Sequence, residues 1–182
     1  MIYILLAEGF EEIEALTPAD MLRRAGLDVC LLSVGGTATV TGAHGITVTA
    51  DCTPDTLPEG SRTELVLLPG GMPGAKNLDA SPVTDRLLAM AARDGGRLAA
   101  ICAAPLVLGR RNLLQGRRAV CYPGFEKELR GALLCRERVV TDGNITTAVG
   151  MGAALEFAGE LVRLLCGPQT AHALFQGVLE KA

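Results

Sequence analysis

Apolar and polar positions along this chain follow two patterns, one typical of buried strands and the other of amphipathic helices. Apolar runs predict strands at residues 1–7, 27–34, 64–68, 118–121 and in the run that ends on Cys102. Helical spacing predicts helices after Cys102 and at residues 75–78, 82–93, 153–166 and 169–180. Because strands and helices alternate, the pattern predicts a mostly parallel sheet between two helical layers, a three-layer α/β sandwich.

Two stretches alternate residue by residue and predict β-hairpins. Their paired segments are residues 37–41 with 46–50 and residues 138–141 with 145–148. Residues 51–63 contain two prolines and predict a surface connection. The first helical pattern contains Pro18, so we expect that helix to begin near Thr17, with the proline in its first turn.

The composition fits one domain that spans residues 1–182. A chain of 182 residues is long enough to bury a substantial core. Because 49% of the residues are hydrophobic and 3% aromatic, we expect a core of Leu, Val, Ala and Ile. Ligands of such sheets bind beyond the carboxyl ends of the strands. We therefore expect a ligand site at the loops after Ala7 and Leu68 and at the turn at Cys102.

The charge and the N-terminal pattern exclude several classes of protein. The formal net charge is −3 without a basic block, so nothing points to nucleic acid. Residues 1–10 lack the basic region of a signal peptide, and their apolar run is too short to cross a membrane. We therefore expect a cytoplasmic protein without nucleic-acid or membrane partners.

The six cysteines are scattered along the chain. They are Cys30, Cys52, Cys102, Cys121, Cys135 and Cys166. No two of them form a C-x-x-C pair, which argues against a zinc site and against a secreted disulfide framework. We expect reduced thiols and no bound metal.

The stretch GRLAAICAAPLVLGRR, residues 96–111, predicts a buried strand that turns sharply into a helix. Small neighbours allow the turn and leave the Cys102 thiol over the end of the sheet, in a strained backbone position. The N–H groups at the start of a helix favour a thiolate, so Cys102 is the candidate nucleophile. The alternative is a buried cysteine that acts only as a small hydrophobe.

Three loops at this edge carry groups that suit covalent attack on a carbonyl. Glu14 lies among apolar neighbours and, if it faces inward, should be protonated beside a thiolate and donate a hydrogen bond to the sulfur. The backbone N–H groups of Gly70, Gly71 and Ala103 form a candidate oxyanion pocket. The alternatives are a solvated acidic residue and a tight strand–helix turn at the glycines.

The chain has two histidines, and neither supports a Cys–His–Asp triad. His44 lies in the predicted hairpin turn, either within reach of the crevice or simply exposed. His172 lies on the last predicted helix, where a structural role is expected. A protease is therefore poorly supported.

The motifs AEGFEEIEAL, LLPGGMPGAKNL, AAICAAP and TDGNITTAVGMGAALEFA together resemble the ThiJ/PfpI superfamily. The match runs along the whole chain in order and is best for the clade of the parkinsonism-associated deglycase and its bacterial chaperone-like relatives. The resemblance implies a flavodoxin-like sandwich of the class I glutamine amidotransferase-like type, which forms a homodimer. It also implies that Cys102 is the oxidisable nucleophile, that Glu14 hydrogen-bonds it, and that Gly70, Gly71 and Ala103 form the oxyanion pocket.

The chain departs from this pattern at the rim of the predicted site. Tyr122 stands where much of the family has His; a phenol is a poor general base at neutral pH but can hydrogen-bond and shape a pocket. His44 stands where some members have Arg. The elbow reads Cys-Ala, whereas the protease branch has Cys-His, which places the chain outside that branch.

These features lead us to expect an enzyme that needs no cofactor. It would convert small reactive aldehydes such as methylglyoxal, or the early glycation adducts on protein side chains, to 2-hydroxy acids. A second hypothesis is an oxidative-stress sensor or chaperone in which Cys102 is oxidised to a sulfinate. Relatives of this kind are also labelled thiazole monophosphate biosynthesis proteins, but the chain has no P-loop to support a phosphate substrate.

Overall fold

A six-stranded sheet forms the middle layer of the protein, as predicted. The computed structural model describes residues 1–57, 60 and 62–178. Across the sheet the strands are β2 (Val29–Ser33), β1 (Ile2–Leu6), β5 (Leu65–Leu68), β6 (Arg97–Ile101), β10 (Ile145–Ala148) and β9 (Val139–Asp142). All neighbours pair in parallel except β10 and β9, which form the predicted antiparallel hairpin.

Helices cover both faces of the sheet, which confirms the three-layer sandwich. They are α1 (Glu12–Arg24), α2 (Gly74–Ala80), α3 (Pro82–Asp94), α4 (Pro105–Arg110), α5 (Ala154–Cys166) and α6 (Pro168–Gly177). Successive side chains along β1 point to opposite faces of the sheet. Ile2 and Ile4 pack in a core with α1, α5 and α6, whereas Tyr3 and Leu5 pack in a second core with α2, α3 and α4.

Two small sheets lie outside the main one. The predicted hairpin is present as β3 (Thr39–Thr41) paired with β4 (Thr47–Thr49). The predicted short strand is β7 (Arg118–Ala119), and it pairs with β8 (Leu133–Leu134), which the sequence pattern did not reveal. Two exposed leucines are too short a run to show a period, so only the tertiary pairing identifies β8.

The first helix begins earlier than the proline suggested. α1 starts at Glu12, and Pro18 lies inside it and is buried. Pro18 has no N–H to donate to the carbonyl of Glu14, a loss that ordinarily shortens a helix. Here the helix is held by its packing, because its buried residues Ala15 and Leu22 belong to the core shared with α5. Tertiary contacts therefore outweigh the cost of the hydrogen bond that Pro18 cannot form.

The expectation that all cysteines are reduced is wrong for one pair. Cys30 on β2 and Cys52 after β4 form a disulfide, with their Cα atoms 6.8 Å apart. The segment after β4 runs beside β2, where the N–H of Ser33 donates to the carbonyl of Cys52 at 3.0 Å. This pairing joins residues 22 positions apart, a contact that cysteine spacing alone does not predict. Both cysteines are buried.

Parts of two predictions lie outside the described residues. The last helix is confirmed from Pro168 to Gly177, but its predicted end at Glu180 lies beyond residue 178. The predicted connection 51–63 contains a 3₁₀ turn at Pro54–Thr56, and its residues 58, 59 and 61 are outside the description. In the described part of the chain, no helix has the length and apolar character needed to span a membrane.

Candidate functional site

The backbone at Cys102 forms the predicted sharp turn at the carboxyl end of β6. Its φ angle is 65°, a left-handed conformation that is unusual for a residue with a side chain. The N–H of Cys102 donates to the carbonyl of Ala148 at 2.9 Å, and the N–H of Tyr122 donates to the carbonyl of Cys102 at 2.8 Å. These two bonds hold the strained turn from both sides, and the thiol itself is free and partly buried.

Glu14 on α1 faces inward, as predicted, and is fully buried. Its Oε2 accepts a hydrogen bond from the N–H of Gly70 at 2.9 Å. Its Oε1 is buried without a well-formed hydrogen bond among the described residues. The Cys102 thiol and the N–H of Met151 are the neighbouring groups that act on this carboxyl. A buried carboxyl with an open acceptor beside a thiol is placed to exchange a proton with it.

Two glycines allow close approaches at the site: Gly70 lies between the carboxyl and the thiol, and Gly71 lies against the backbone of the first loop. A Cβ on Gly70 would lie 2.6 Å from Oε2 of Glu14 and 2.7 Å from Cβ of Cys102. Gly71 has a φ of +84°, and its Cβ would lie 2.6 Å from the carbonyl oxygen of Gly9. Both positions therefore require glycine. Because the N–H of Gly70 already donates to Glu14, it is not free to serve the predicted oxyanion pocket.

The protein raises the pKa of Glu14 from 4.5 to about 7. Burial is the main cause, and the negative charge of Glu11 adds to it. Hydrogen bonds from Cys102, from the N–H of Gly70 and from that of Met151 act in the opposite direction but do not cancel the effect of burial. The carboxyl is therefore able to carry a proton near neutral pH.

The expectation that a helix N-terminus ionises Cys102 is opposed by the structure. Burial, followed by the charge and hydrogen bond of Glu14, raises the pKa of the thiol to about 12. The N–H groups of Gly71 and Ala103 lower this pKa but do not outweigh burial, and α4 is a helix of only six residues that starts at Pro105.

The two pKa values together describe how the thiol and carboxyl share protons. Between pH 7 and pH 12 the Glu14–Cys102 pair holds one proton in total. When that proton lies on Glu14, the sulfur is a thiolate that faces the N–H groups of Gly71 and Ala103. Within this one-proton state, a thiolate therefore requires the proton to lie on Glu14.

Tyr122 lies at the rim of the site. Its backbone is tied to Cys102, and its side chain is half exposed. A Cβ built on Gly150 would lie 3.2 Å from Cδ2 of the Tyr122 ring and 3.8 Å from Oε1 of Glu14. The ring therefore lies on the side of the site where β10 ends, and is separated from the acid by a position without a side chain.

His44 is at the tip of the β3–β4 hairpin, and its side chain is exposed. Its Nδ1 lies 2.9 Å from Oε2 of Glu12 and 3.4 Å from Oε2 of Glu11. Its backbone N–H also donates to Oε1 of Glu12 at 2.8 Å. The structure thus connects His44 to the first loop and shows no contact with Cys102.

Glu12 is a buried residue that connects α1 to the β3–β4 hairpin, a role that the sequence pattern did not show. Burial acts to raise its pKa, but hydrogen bonds from His44 and from the N–H groups of His44 and Ile46 outweigh burial and lower it. The same hydrogen bond raises the pKa of His44. A Cβ on Gly42 would collide with the Glu12 carboxylate, so the hairpin lies directly against it.

Glu11, Glu12 and His44 are also the one set of possible metal ligands in the described residues, with ligand atoms within 4.8 Å of one another. His44 already lies within ion-pair distance of both carboxylates, and we assign no metal to them. His172 lies far along the chain on α6, where its Nε2 is 3.0 Å from Nε2 of Gln176.

Comparison with known proteins decides the family. The DJ-1/PfpI family matches residues 1–164, which include every residue of the site described above. The chain belongs to the DJ-1/PfpI family. This confirms the resemblance seen in the sequence motifs, and the matched residues include both the Cys102 turn and Glu14 on α1.

Individual members of the DJ-1/PfpI family are similar over nearly the whole chain. Protein dj-1beta of Drosophila melanogaster is 33% identical over 178 residues, covering 97% of this chain and 95% of that protein. A glutathione-independent glyoxalase, DJR-1.2 of Caenorhabditis elegans, is 32% identical over 174 residues, covering 95% and 92%. The solved structure of oxidized DJ-1 from Toxoplasma gondii is 34% identical and superposes with a TM-score of 0.93, covering 100% and 98%.

Proposed function

We propose that the protein is a cofactor-independent, cysteine-dependent enzyme of the glyoxalase or protein deglycase type. The observation that carries this proposal is the meeting of the Glu14 carboxyl and the Cys102 side chain at Gly70, where both would contact a Cβ. The name of the Caenorhabditis elegans relative, a glutathione-independent glyoxalase, supports the same chemistry within the family. The substrates proposed are small 2-oxoaldehydes and the adducts they form on protein side chains.

The first step in this proposal is addition of the thiolate to an aldehyde. With the shared proton on Glu14, the sulfur of Cys102 forms a bond to the aldehyde carbon, and the carbonyl oxygen gains negative charge. The N–H groups that face the sulfur, those of Gly71 and Ala103, are placed to stabilise this oxygen. The oxygen then takes the proton from Glu14, and the product is a hemithioacetal.

The second step moves hydrogen between the two carbons of the substrate. The carboxylate of Glu14 removes a proton from the former aldehyde carbon and returns it to the former ketone carbon, while the hydroxyl proton of the hemithioacetal passes to the former ketone oxygen, which gives a 2-hydroxyacyl thioester. Water then cleaves the carbon–sulfur bond, releases the 2-hydroxy acid and restores the thiol. The net reaction adds one water to the 2-oxoaldehyde, so neither an external oxidant nor a cofactor is required.

A direct test follows lactate formation from methylglyoxal. The intact protein should produce lactate, and both Cys102→Ser and Glu14→Gln should reduce kcat/KM by at least about 100-fold, as expected for loss of a nucleophile or an acid–base group. Cys135→Ser is the matched control, because Cys135 is also a free and partly exposed thiol. An intact protein that makes no lactate from methylglyoxal and no 2-hydroxy acid from glycated peptides contradicts the proposal.

A second candidate is an oxidative-stress sensor that acts through Cys102. The partly exposed thiol, the N–H groups of Gly71 and Ala103 and a protonated Glu14 would stabilise a sulfinate, formed from the thiol and two molecules of hydrogen peroxide with release of two waters. The solved relative from Toxoplasma gondii is an oxidized form. Mass spectrometry after mild peroxide, showing two added oxygens on Cys102 without lactate formation, would favour this function.

We further propose that the protein acts as a homodimer. Ile13 on α1 and Ile46 beside the hairpin are large apolar side chains that are 46% and 55% exposed. The N–H of Ile46 donates to Oε1 of Glu12, the residue before Ile13, so the two lie on neighbouring parts of the surface. Light scattering of the Ile13→Glu and Ile46→Glu double variant should show a monomer where the intact protein shows a dimer.

A further inference from the structure

The two N–H groups that face the Cys102 sulfur belong to residues that lead into two short helices. Gly71 precedes α2, and its carbonyl accepts from the N–H of Ala75 in the first turn of that helix at 2.9 Å. Ala103 precedes α4, and its carbonyl accepts from the N–H of Leu106 in the first turn of that helix at 3.1 Å. The position of each N–H group therefore depends on the position of its helix.

Asp79 joins the C-terminal ends of α2 and α4. It lies in the last turn of α2, whereas Arg110 is the last residue of α4 and Arg111 follows it. Nη1 of Arg110 donates to Oδ2 of Asp79 at 2.5 Å, and Nη1 of Arg111 donates to Oδ1 at 2.7 Å. Nη2 of Arg111 also donates to the backbone carbonyl of Asp79 at 2.9 Å. Three charge-assisted hydrogen bonds therefore connect the two helices.

The Asp79 carboxylate is mostly shielded from water. Its side chain is 17% exposed, and that of Arg111 is 21% exposed. Fully exposed ion pairs contribute little to stability, whereas a shielded carboxylate that is bound by two guanidinium groups holds a defined geometry. Along the same two helices, Leu78 of α2 and Val107 of α4 are fully buried in one core. The two helices are therefore held together both in the core and at the Asp79 end.

Both helices have to stay in place for the two N–H groups to face one atom. A shift of α2 against α4 would move the N–H of Gly71 relative to that of Ala103, and a misplacement of about 1 Å at a reacting group can cost about 100-fold in rate. We propose that Asp79 is a positioning residue, which holds α2 against α4 and so keeps these two N–H groups directed at the Cys102 sulfur and at the oxygen of a bound carbonyl. The role toward the oxygen rests on the proposed function, whereas the role toward the sulfur does not.

The first test compares methylglyoxal turnover by the intact protein, Asp79→Asn and Asp85→Asn, each assayed well below its melting temperature. Asp79→Asn keeps the shape of the side chain and removes the charge. It should lower kcat by about 10-fold and leave KM within about twofold, because the N–H groups bind the oxygen most strongly in the transition state. Asp85 is the matched control, since it accepts from Nε of the same Arg111 at 2.7 Å but lies on α3. Equal kcat values for the two variants, or a change in KM alone, overturn the inference.

The second test does not depend on turnover. The rate of Cys102 alkylation by iodoacetamide at pH 7.5 is measured by mass spectrometry. Asp79→Asn should react about 3- to 10-fold more slowly than the intact protein and Asp85→Asn, because a weaker hydrogen bond stabilises less thiolate. A merely structural role would instead open the site and increase the rate, so an unchanged or faster reaction of Asp79→Asn overturns the inference. If no 2-hydroxy acid forms but only Asp79→Asn is alkylated more slowly, the proposed function fails and this inference stands. If turnover occurs and all three proteins are alkylated at the same rate, the reverse holds.

Discussion

Glu14 and Cys102 meet at Gly70, where the carboxyl oxygen and the cysteine Cβ would lie 2.6 and 2.7 Å from an added methyl group. The two side chains come from separate elements, α1 and the end of β6. Burial raises the pKa of both, to about 7 for the acid and about 12 for the thiol. Because they share one proton between these values, the reactivity of either group depends on the other.

The rate at which Cys102 is alkylated should increase as the Glu14–Cys102 pair loses its first proton. Below pH 7 both groups are protonated, so alkylation of the intact protein should be slow; above it, one proton remains, and the thiolate form with a neutral Glu14 becomes available. In Glu14→Gln no carboxyl can hold that proton, and burial still raises the pKa of the thiol. Alkylation of this variant should therefore rise only above pH 9.

The measurement is the second-order rate of Cys102 alkylation by iodoacetamide from pH 5 to 10. At pH 7.5 the intact protein should react at least about 10 times faster than Glu14→Gln. Glu64→Gln, a change at the opposite end of the sheet, should leave the profile unaltered. The same midpoint near pH 7 in the Glu14→Gln variant would show that the acid does not control the thiol.

Gly70→Ala should abolish the close approach of the acid and the thiol. The added methyl group would overlap Glu14, Cys102 and the carbonyl of Ile101, so one of them must move by more than a few tenths of an ångström. We expect at least a 100-fold loss of lactate formation, because the reacting groups are displaced. We also expect a lower melting temperature, because overpacking reduces the free energy of unfolding by about 1–3 kcal/mol.

Gly35→Ala is the matched control for this change, because nothing lies within 4 Å of its Cβ position and its φ is not left-handed. Circular dichroism melts and lactate assays of the two variants separate the local effect from a general cost of replacing glycine. Full activity of Gly70→Ala would disprove the geometry described for the site.

The Glu12–His44 pair should stabilise the hairpin within a limited pH range. The pKa of His44 is raised, so its contribution is complete below 6.5 and is lost as the pH rises through the folded value. The pKa of Glu12 is lowered, so its contribution is complete above 4.5 and is lost as the pH falls through the folded value. The pair is therefore strongest between these two limits.

Hydrogen exchange of the β3–β4 hairpin provides the measurement. Corrected for intrinsic exchange rates, protection in the intact protein should be greatest near pH 5.5 and decrease by pH 9, whereas His44→Ala should show a flatter profile. Replacing His172, which lies on α6, should not change the hairpin. Equal pH dependence with and without His44 would contradict the role assigned to the pair.

Reduction of the Cys30–Cys52 disulfide should destabilise the protein without inactivating Cys102. The bond closes a loop between residues 22 positions apart, and a loop of this size contributes about 3 kcal/mol in the chain-entropy view. The Cys30→Ser and Cys52→Ser double variant should melt at a lower temperature, and reductant should lower the melting temperature of the intact protein but not that of the variant. Cys166→Ser is the control for loss of a thiol alone. Identical melting in reductant and oxidant would count against this disulfide.

The pattern of apolar and polar positions by itself determined the architecture, because parallel strands buried on both faces and helices of 3.6-residue period leave few other arrangements. It also determined that Cys102 lies at a sharp strand–helix turn, since only small neighbours permit one. The start of α1 and the Cys30–Cys52 bond were decided by tertiary structure, because packing against α5 outweighs the cost of Pro18 and chain pairing brings distant cysteines together. The same holds for the protonation of the site: burial sets the pKa values of Glu14 and Cys102, and burial depends on what the folded chain places around them.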